Sequence, residues 1–286
     1  MINGRTRLIG IIGYPISHTF SPAMHNAAAQ ALGLNVAYVP LPVPPEGIET
    51  AVSALPFLGF LGVNVTVPHK QSVMPLLDEV EAGVQAIGAV NTIEVQAKND
   101  RFRLKGHNTD WAGFLADLDA QGISVDGRSC LVLGAGGSAR AVVYALLTRR
   151  ARVHVLSRRP AQAEALARHM RQHLPQSDVQ SHDLTQLAQV SAETAVPLIV
   201  NTTPLGMSPH VNNTVWPDAV PFPAGAVVYD LVYNPPKTRL MQQAAAAGCR
   251  TFNGLGMLVY QGALAFTLWT GAQPDAAVMR QALMNE

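Results

Sequence analysis

This sequence predicts an α/β protein organised on mainly parallel sheet, in one large domain or two ordinary ones. Three observations carry that expectation. The first is the stretch Ser129–Arg140, where the apolar run Ser129-Cys130-Leu131-Val132-Leu133 meets glycines in the pattern G-x-G-x-x-A (Gly134, Gly136, Ala139) and passes into the helix former Ala141-Val142-Val143-Tyr144-Ala145-Leu146-Leu147. A continuous apolar run followed by a glycine turn and a helix start is the signature of a buried parallel strand in a β-α unit. The second is the alternation of strand and helix patterns across residues 7–67, which calls for right-handed crossovers between parallel strands. The third is size: 286 residues, 48% hydrophobic and 14% charged, suit one large or two ordinary domains with a sizeable core and are too apolar for disorder.

In chain order, Arg7–Ile12 reads as a strand broken by Gly13-Tyr14-Pro15. Ser21 is expected to cap a helix from Pro22 to about Leu32, with proline at its first position. A second strand, Ala37–Leu41, precedes a Pro-rich turn and a helix near Glu46–Leu55. A third, Gly62–Val67, runs into Pro68-His69-Lys70. Thr66 and Lys70 therefore stand at the carboxyl end of a strand, where open α/β sheets bind ligands. Gly88–Val95 reads as a strand, Lys98-Asn99-Asp100 as a turn and Arg101–Lys105 as the returning arm of a hairpin. A helix is expected to follow to about Leu118, with Asn108 or Thr109 as its cap. Asp110 in its first turn favours the helix dipole.

In the second half, the glycine stretch has the form that holds a dinucleotide. Gly134 permits the tight turn, Gly136 lets backbone N–H groups reach a pyrophosphate, and the small Ala139 lets helix and strand pack closely. The helix N-terminus adds unsatisfied donors and a positive dipole end. The next strand, Arg152–Leu156, ends in Ser157-Arg158-Arg159. No Asp or Glu is present there to bind a ribose 2′-OH, and two guanidiniums are suited to fork onto a 2′-phosphate, so the cofactor expected is NADP. Pro160–Leu174 reads as a helix. Its His169 and His173 are four residues apart, but no third ligand or acidic base accompanies them, and no metal is expected. Leu198–Asn201 and Ala226–Asp230 are further buried strands, and the chain after them, with Thr202, Leu231, Gly254 and Met257, is expected to face the nicotinamide. Gly254–Thr270 and Pro274–Met284 read as helices.

The net charge of +1 leaves no basic stripe for a nucleic acid. No run reaches membrane-spanning length and no secretory signal is visible, so a cytoplasmic protein is expected. Two cysteines, Cys130 and Cys249, exclude a disulfide framework.

Several blocks then resemble one family, the shikimate dehydrogenases. Pro15–Pro22 resembles its substrate loop. Asn64-Val65-Thr66-Val67-Pro68-His69-Lys70, Gly88–Thr92 and Asn108-Thr109-Asp110 resemble its next three blocks. Gly134-Ala135-Gly136-Gly137-Ser138-Ala139-Arg140 resembles its cofactor loop and Asn201–Met207 the loop after it. Tyr229–Pro235 and Gly254–Gln261 complete the set. The resemblance implies NADP-dependent, reversible reduction of 3-dehydroshikimate to shikimate, in the shikimate pathway of aromatic amino-acid biosynthesis. It implies a catalytic pair on Lys70 and Asp110, and polyol contacts on Thr19, Ser21, Thr66, Asn91 and Gln261 with Tyr233 nearby. It also implies that the C-terminal helices return to the first domain. Residues 1–109 with 254–286 would then bind substrate and residues 110–253 would form a Rossmann-type NADP domain, with the cleft between them. Two positions depart from the family: Thr19 stands where Ser is usual, and Arg159 where Thr is usual.

Hydride arriving at a carbonyl carbon requires a proton at the oxygen, and an amine beside a carboxylate can manage it. Lys70 and Asp110 are both candidates to move that proton, and an electrostatic stabiliser of the developing alkoxide is the other role open to Lys70. A quinate- or aminoshikimate-preferring dehydrogenase and a non-catalytic NADPH-binding regulator are the alternatives. The partner expected is a small molecule, and a homodimer is left open.

Overall fold

The computed structural model describes residues 2–98, 101–193 and 197–284. The chain divides into two compact units, residues 1–113 with 258–286, and residues 114–257. The divisions fall inside two helices, where the sequence placed them at 109/110 and 253/254.

In the first unit, β1 (Arg7–Gly13) lies between β2 (Val36–Pro42) and β3 (Phe60–Val65), both parallel to it. The crossovers are α1 (Ser21–Ala31), then a 3₁₀ turn leading into α2 (Ile48–Ala54). Beyond β3 the sheet changes direction. A hairpin of β5 (Thr92–Lys98) and β6 (Arg101–His107) pairs antiparallel, and the two-residue β4 (Glu79–Val80) joins β6 parallel, giving the order β2-β1-β3-β5-β6-β4. The expected turn residues Asn99 and Asp100 lie outside the described residues. Helix α3 (Ala82–Ile87), not expected from the sequence, ends on Gly88 at φ +69°, the left-handed conformation that glycine adopts without strain. Ile12, Val63, Val65, Ile93 and Leu104 form part of the core on this sheet.

Ser21 is not the cap of α1. It is already helical, Phe20 holds the cap position, and no side chain closes the cap. Thr19 instead reaches forward: its Oγ accepts from the Ser21 N–H at 3.3 Å. The Ser21 hydroxyl is thereby left to the loop rather than to the helix start.

The second unit is a fully parallel six-stranded sheet in the order β12-β11-β10-β7-β8-β9. Its strands are β7 (Ser129–Leu133), β8 (Arg152–Ser157), β9 (Val179–Asp183), β10 (Leu198–Asn201), β11 (Val227–Asp230) and β12 (Arg250–Asn253). Its helices are α5 (Gly137–Thr148), α6 (Pro160–His173), α7 (Leu187–Glu193) and α8 (Arg239–Ala246). The chain steps outward from β7 to β9, then returns to β10 on the other side of β7. The topological switch therefore lies between β7 and β10, the crevice where doubly wound sheets bind ligands. Leu131, Leu133, Ile199, Val228 and Trp216 pack its core. Cys130 is buried in β7, and burial pushes its thiol up to about 12.

Helices α4 (Asp110–Ala120) and α9 (Leu255–Thr270) each begin in one unit and end in the other, and α10 (Ala276–Leu283) closes the first unit against α1. Among the described residues no helix is long and apolar enough to cross a membrane.

Candidate active site

The first unit brings four of the expected polar residues, Lys70, Asp110, Asn91 and Gln261, into one buried cluster. Lys70 lies five residues beyond β3, and the Asn108 side chain seats Asp110 at the start of α4 by accepting its N–H at 3.1 Å. Lys70 Nζ donates to Asp110 Oδ2 at 2.6 Å, with the two side chains 11% and 7% exposed. A charge-assisted contact this short and this dry is among the stronger polar interactions a protein makes.

Asn91 sits just before β5 and is the hub. Its Nδ2 donates to Asp110 Oδ1 and Thr109 Oγ1, both at 2.9 Å, and to Gln261 Oε1 at 3.3 Å. Its Oδ1 accepts from the Thr109 N–H at 2.7 Å. Gln261 comes from α9 across 170 residues of chain. It can lie this close because α4 carries Gly113, where a Cβ would stand 2.6 Å from the Gln261 nitrogen. Thr66 follows β3 directly, half-buried, with its N–H on the Ile12 carbonyl at 2.9 Å. Thr19 and Ser21 form a hydroxyl pair at 3.3 Å. Tyr233 belongs to the other unit, in the loop after β11.

Thr109 was weighed in the sequence only as a helix cap. It is a full member of the cluster, and its signal was its place between Asn108 and Asp110 in a triplet of hydrogen-bonding residues. Asn64 and Thr92, which join the cluster from β3 and β5, had no separate signal.

The second unit carries the expected cofactor residues at the carboxyl ends of β7 and β8. Gly134 adopts φ +111°, and a Cβ there would press on Thr202 Oγ1 at 2.6 Å. Thr202 in turn donates its hydroxyl to the Leu133 carbonyl at 2.8 Å, lacing β10 to β7 at the switch. At Gly136, the N-cap of α5, no atom lies within 4 Å of where a Cβ would stand. The backbone at Gly136 is therefore approachable, while Ala139 behind it is fully buried. Ser157 Oγ accepts the Arg159 N–H at 3.1 Å, and Arg158 and Arg159 are exposed at the end of β8. A glycine backbone open to approach at a helix start, with two exposed guanidiniums one strand away, fits a phosphorylated dinucleotide. Leu231 donates its N–H to the Asn201 carbonyl at 2.9 Å, and Gly254 lies so close to Leu231 that a Cβ would overlap its carbonyl. Met257 is buried at the start of α9.

A second cluster in this unit, unforeseen in the sequence, holds the loops after β10 and β11. Asp230 accepts from Asn201 Nδ2 at 2.9 Å, the Val232 N–H at 3.0 Å and the Thr238 hydroxyl at 2.6 Å. Burial pushes its carboxyl up to about 6, with these three donors pulling the other way.

Comparison with known proteins agrees with this arrangement. Residues 11–93 match the family described as shikimate dehydrogenase substrate binding domain, residues 254–284 the shikimate 5'-dehydrogenase C-terminal domain, and residues 122–199 a putative NAD(P)-binding family. The shikimate dehydrogenase (NADP(+)) of Salinibacter ruber is 47% identical over 282 residues, covering 97% of either chain. A crystal structure of a shikimate dehydrogenase in complex with NADP+ superposes with a TM-score of 0.90 at 38% identity, over 100% of this chain and 97% of that one. A quinate dehydrogenase from Corynebacterium glutamicum in complex with NAD gives 0.88 at 33% identity, over 98% and 99%. With its Lys70–Asp110 cluster, its glycine turn at the sheet switch and relatives matched from end to end, this chain belongs to the shikimate dehydrogenase family.

Proposed function

We propose that this protein is an NADP-dependent dehydrogenase that reversibly reduces 3-dehydroshikimate to shikimate, in the cytoplasm, with residues 1–113 and 258–286 binding substrate and residues 114–257 binding the dinucleotide. The observation that carries the reading is the Lys70–Asp110 contact at 2.6 Å inside a cluster of amides and hydroxyls. Family membership supports the substrate, and the Arg158-Arg159 pair without a neighbouring acidic residue supports NADP over NAD.

When bound, the nicotinamide supplies or accepts the hydride. The chain's part is to hold the ring and manage one proton. Asn91, Gln261, Thr66, Thr19 and Ser21 offer hydroxyl and amide partners to a polyol, and buried partners of this kind discriminate strongly against analogues that lack a hydroxyl. Asp110 fixes the Lys70 ammonium in place. In the reducing direction Lys70 Nζ gives a proton to the carbonyl oxygen as the carbon is reduced; in the oxidising direction it takes the proton back. Its charge also stabilises the developing alkoxide. Ser157, Arg158 and Arg159 hold the 2′-phosphate, and Gly134–Ala139 the pyrophosphate.

The test is shikimate oxidation by the purified protein, read as reduced nicotinamide, with NADP and NAD side by side. Shikimate-dependent reduction with a clear NADP preference is expected. No turnover with intact NADPH binding would favour the regulator reading. Thr19 and the quinate dehydrogenase likeness keep a second substrate in view, and faster turnover of quinate than shikimate would replace the first.

A further inference from the structure

The hydrogen-bonded cluster continues past Asn91 into the sheet. Tyr38 on β2 donates its hydroxyl to Asn64 Oδ1 at 2.8 Å. Asn64 on β3 donates through Nδ2 to Thr92 Oγ1 at 3.1 Å and to the Asn91 carbonyl at 3.3 Å. Thr92 on β5 donates its hydroxyl to Asn91 Oδ1 at 3.0 Å. Asn64, Asn91 and Thr92 are buried, and the Tyr38 ring is stacked face to face on His25 with centroids 4.2 Å apart.

The directions of these bonds are what matter. An asparagine amide presents two donors on one side and an acceptor on the other, and nothing about its shape says which faces where. Reversed, Asn91 would set its Oδ1 against the Asp110 carboxylate, two acceptors in a dry place, which is strongly disfavoured. Three donors hold the Oδ1 on the far side: the Thr109 N–H at 2.7 Å, the Thr92 hydroxyl at 3.0 Å and, at a longer 3.3 Å, the Thr109 hydroxyl. The Thr92 hydroxyl has a single proton. It is free to point at Asn91 because Asn64 presents Nδ2, a donor, to the same oxygen. Asn64 keeps that orientation because Tyr38 donates to its Oδ1 and the Asn91 carbonyl accepts from its Nδ2.

We propose that Thr92, oriented by Tyr38 and Asn64, is a positioning residue that sets the direction of the Asn91 amide and through it the Asp110 carboxylate. The proposal rests on the reading of Lys70 and Asp110 as the catalytic pair. Asn91 Nδ2 occupies Asp110 Oδ1, which leaves Oδ2 turned to Lys70. Loosening Thr92 therefore loosens the Asn91 amide and, through Asp110, the pose of the ammonium, while leaving the residues of the cofactor turn as they are.

The test compares Thr92→Val, which keeps the shape and removes the hydroxyl, with Thr92→Ser, which keeps the hydroxyl. Thr92→Val is expected to lower kcat for shikimate oxidation about tenfold, the effect of one lost buried hydrogen bond, with the KM for NADP unchanged. Thr92→Ser is expected to return kcat to within about twofold of the wild type, and Tyr38→Phe to lower it about threefold, as a link further from Asp110. A readout independent of turnover is hydrogen exchange of the Asn91 side-chain amide by NMR, which should quicken in Thr92→Val and not in Thr92→Ser. Unchanged exchange in Thr92→Val, or no rescue by Thr92→Ser, overturns the proposal. An inactive wild type counts instead against the catalytic reading, and the exchange comparison still decides the orienting role.

Discussion

Each unit ends its strands on a buried carboxylate, and the two carboxylates have opposite surroundings. Asp110 has a cation, Lys70, at 2.6 Å, and its second oxygen on an amide. Asp230 is fully buried and its three hydrogen-bond donors are all neutral: an amide, a backbone N–H and a hydroxyl. A buried carboxylate held by neutral dipoles alone is displaced toward its neutral form, as Asp230 is. The difference separates the proposed catalytic pair from a brace. Asp230 ties the loop after β11 to Asn201 and to Thr238, the N-cap of α8, and Asn201 Oδ1 holds Thr203 at the loop after β10.

The largest test of that contrast removes the cation. Lys70→Met should lower kcat for shikimate oxidation about a thousandfold while the affinity for NADP stays within about twofold. Equal losses in both, measured by steady-state kinetics and fluorescence titration, would assign Lys70 to folding instead. Next, Asp230→Ala strands three donors and should lower unfolding stability by about 3 kcal/mol, with Asp230→Asn losing less than half as much in thermal or denaturant unfolding. Equal losses would mean the brace needs the charge.

The pH dependence of stability sharpens the same comparison, because two buried groups, His25 in the first unit and Asp230 in the second, respond with opposite sign. His25 is buried among Tyr38, Phe266 and Trp269 with no hydrogen-bond partner on either ring nitrogen, and burial lowers it to about 3. Below its ordinary value of 6.5 the unfolded chain takes up a proton that the folded chain refuses. Stability is therefore lost as pH falls, by about 2 kcal/mol at pH 5. Asp230, raised to about 6, does the reverse, since between its ordinary 3.8 and 6 the folded form holds more protons and gains stability on acidification. His25→Phe should flatten the acid loss in a pH series of denaturant melts, and Asp230→Asn should steepen it. The smallest effect is expected at Thr19→Ser, which keeps the hydroxyl and its link to Ser21; the KM for shikimate should change less than about threefold.

What could be read in advance followed the strength of local patterning. The β7 run, its glycine turn and α5 were legible because three signals coincide within 20 residues. The parallel order of β1, β2 and β3 followed from the crossovers between them. Elements with weak or split patterns went unread. β9 alternates polar residues at a sheet edge, β12 is Arg-Thr-Phe-Asn, α8 is short and polar, and β4 has two residues. The antiparallel turn of β5 against β3 is a tertiary choice with no local mark. In the site, the pairing of Lys70 with Asp110 was visible only through the family resemblance, since 40 residues separate them. The Ser21 cap was misread because Pro22 suits either of the first two helical positions. Asp230 was invisible as a brace because its donors come from three separate stretches of chain.

The close crossing at Gly113 has an evolutionary meaning. A single methyl there would press on the main chain of α9 at Gln261, 2.6 Å from its nitrogen, and part α9 from α4. Because α4 also carries Asp110, three residues earlier, that shift would reach the Asn91–Gln261 contact and the Asp110 end of the cluster together. A side chain at this position would strike two links of one network at once, so a lineage, or an engineer, that keeps the network must keep the glycine.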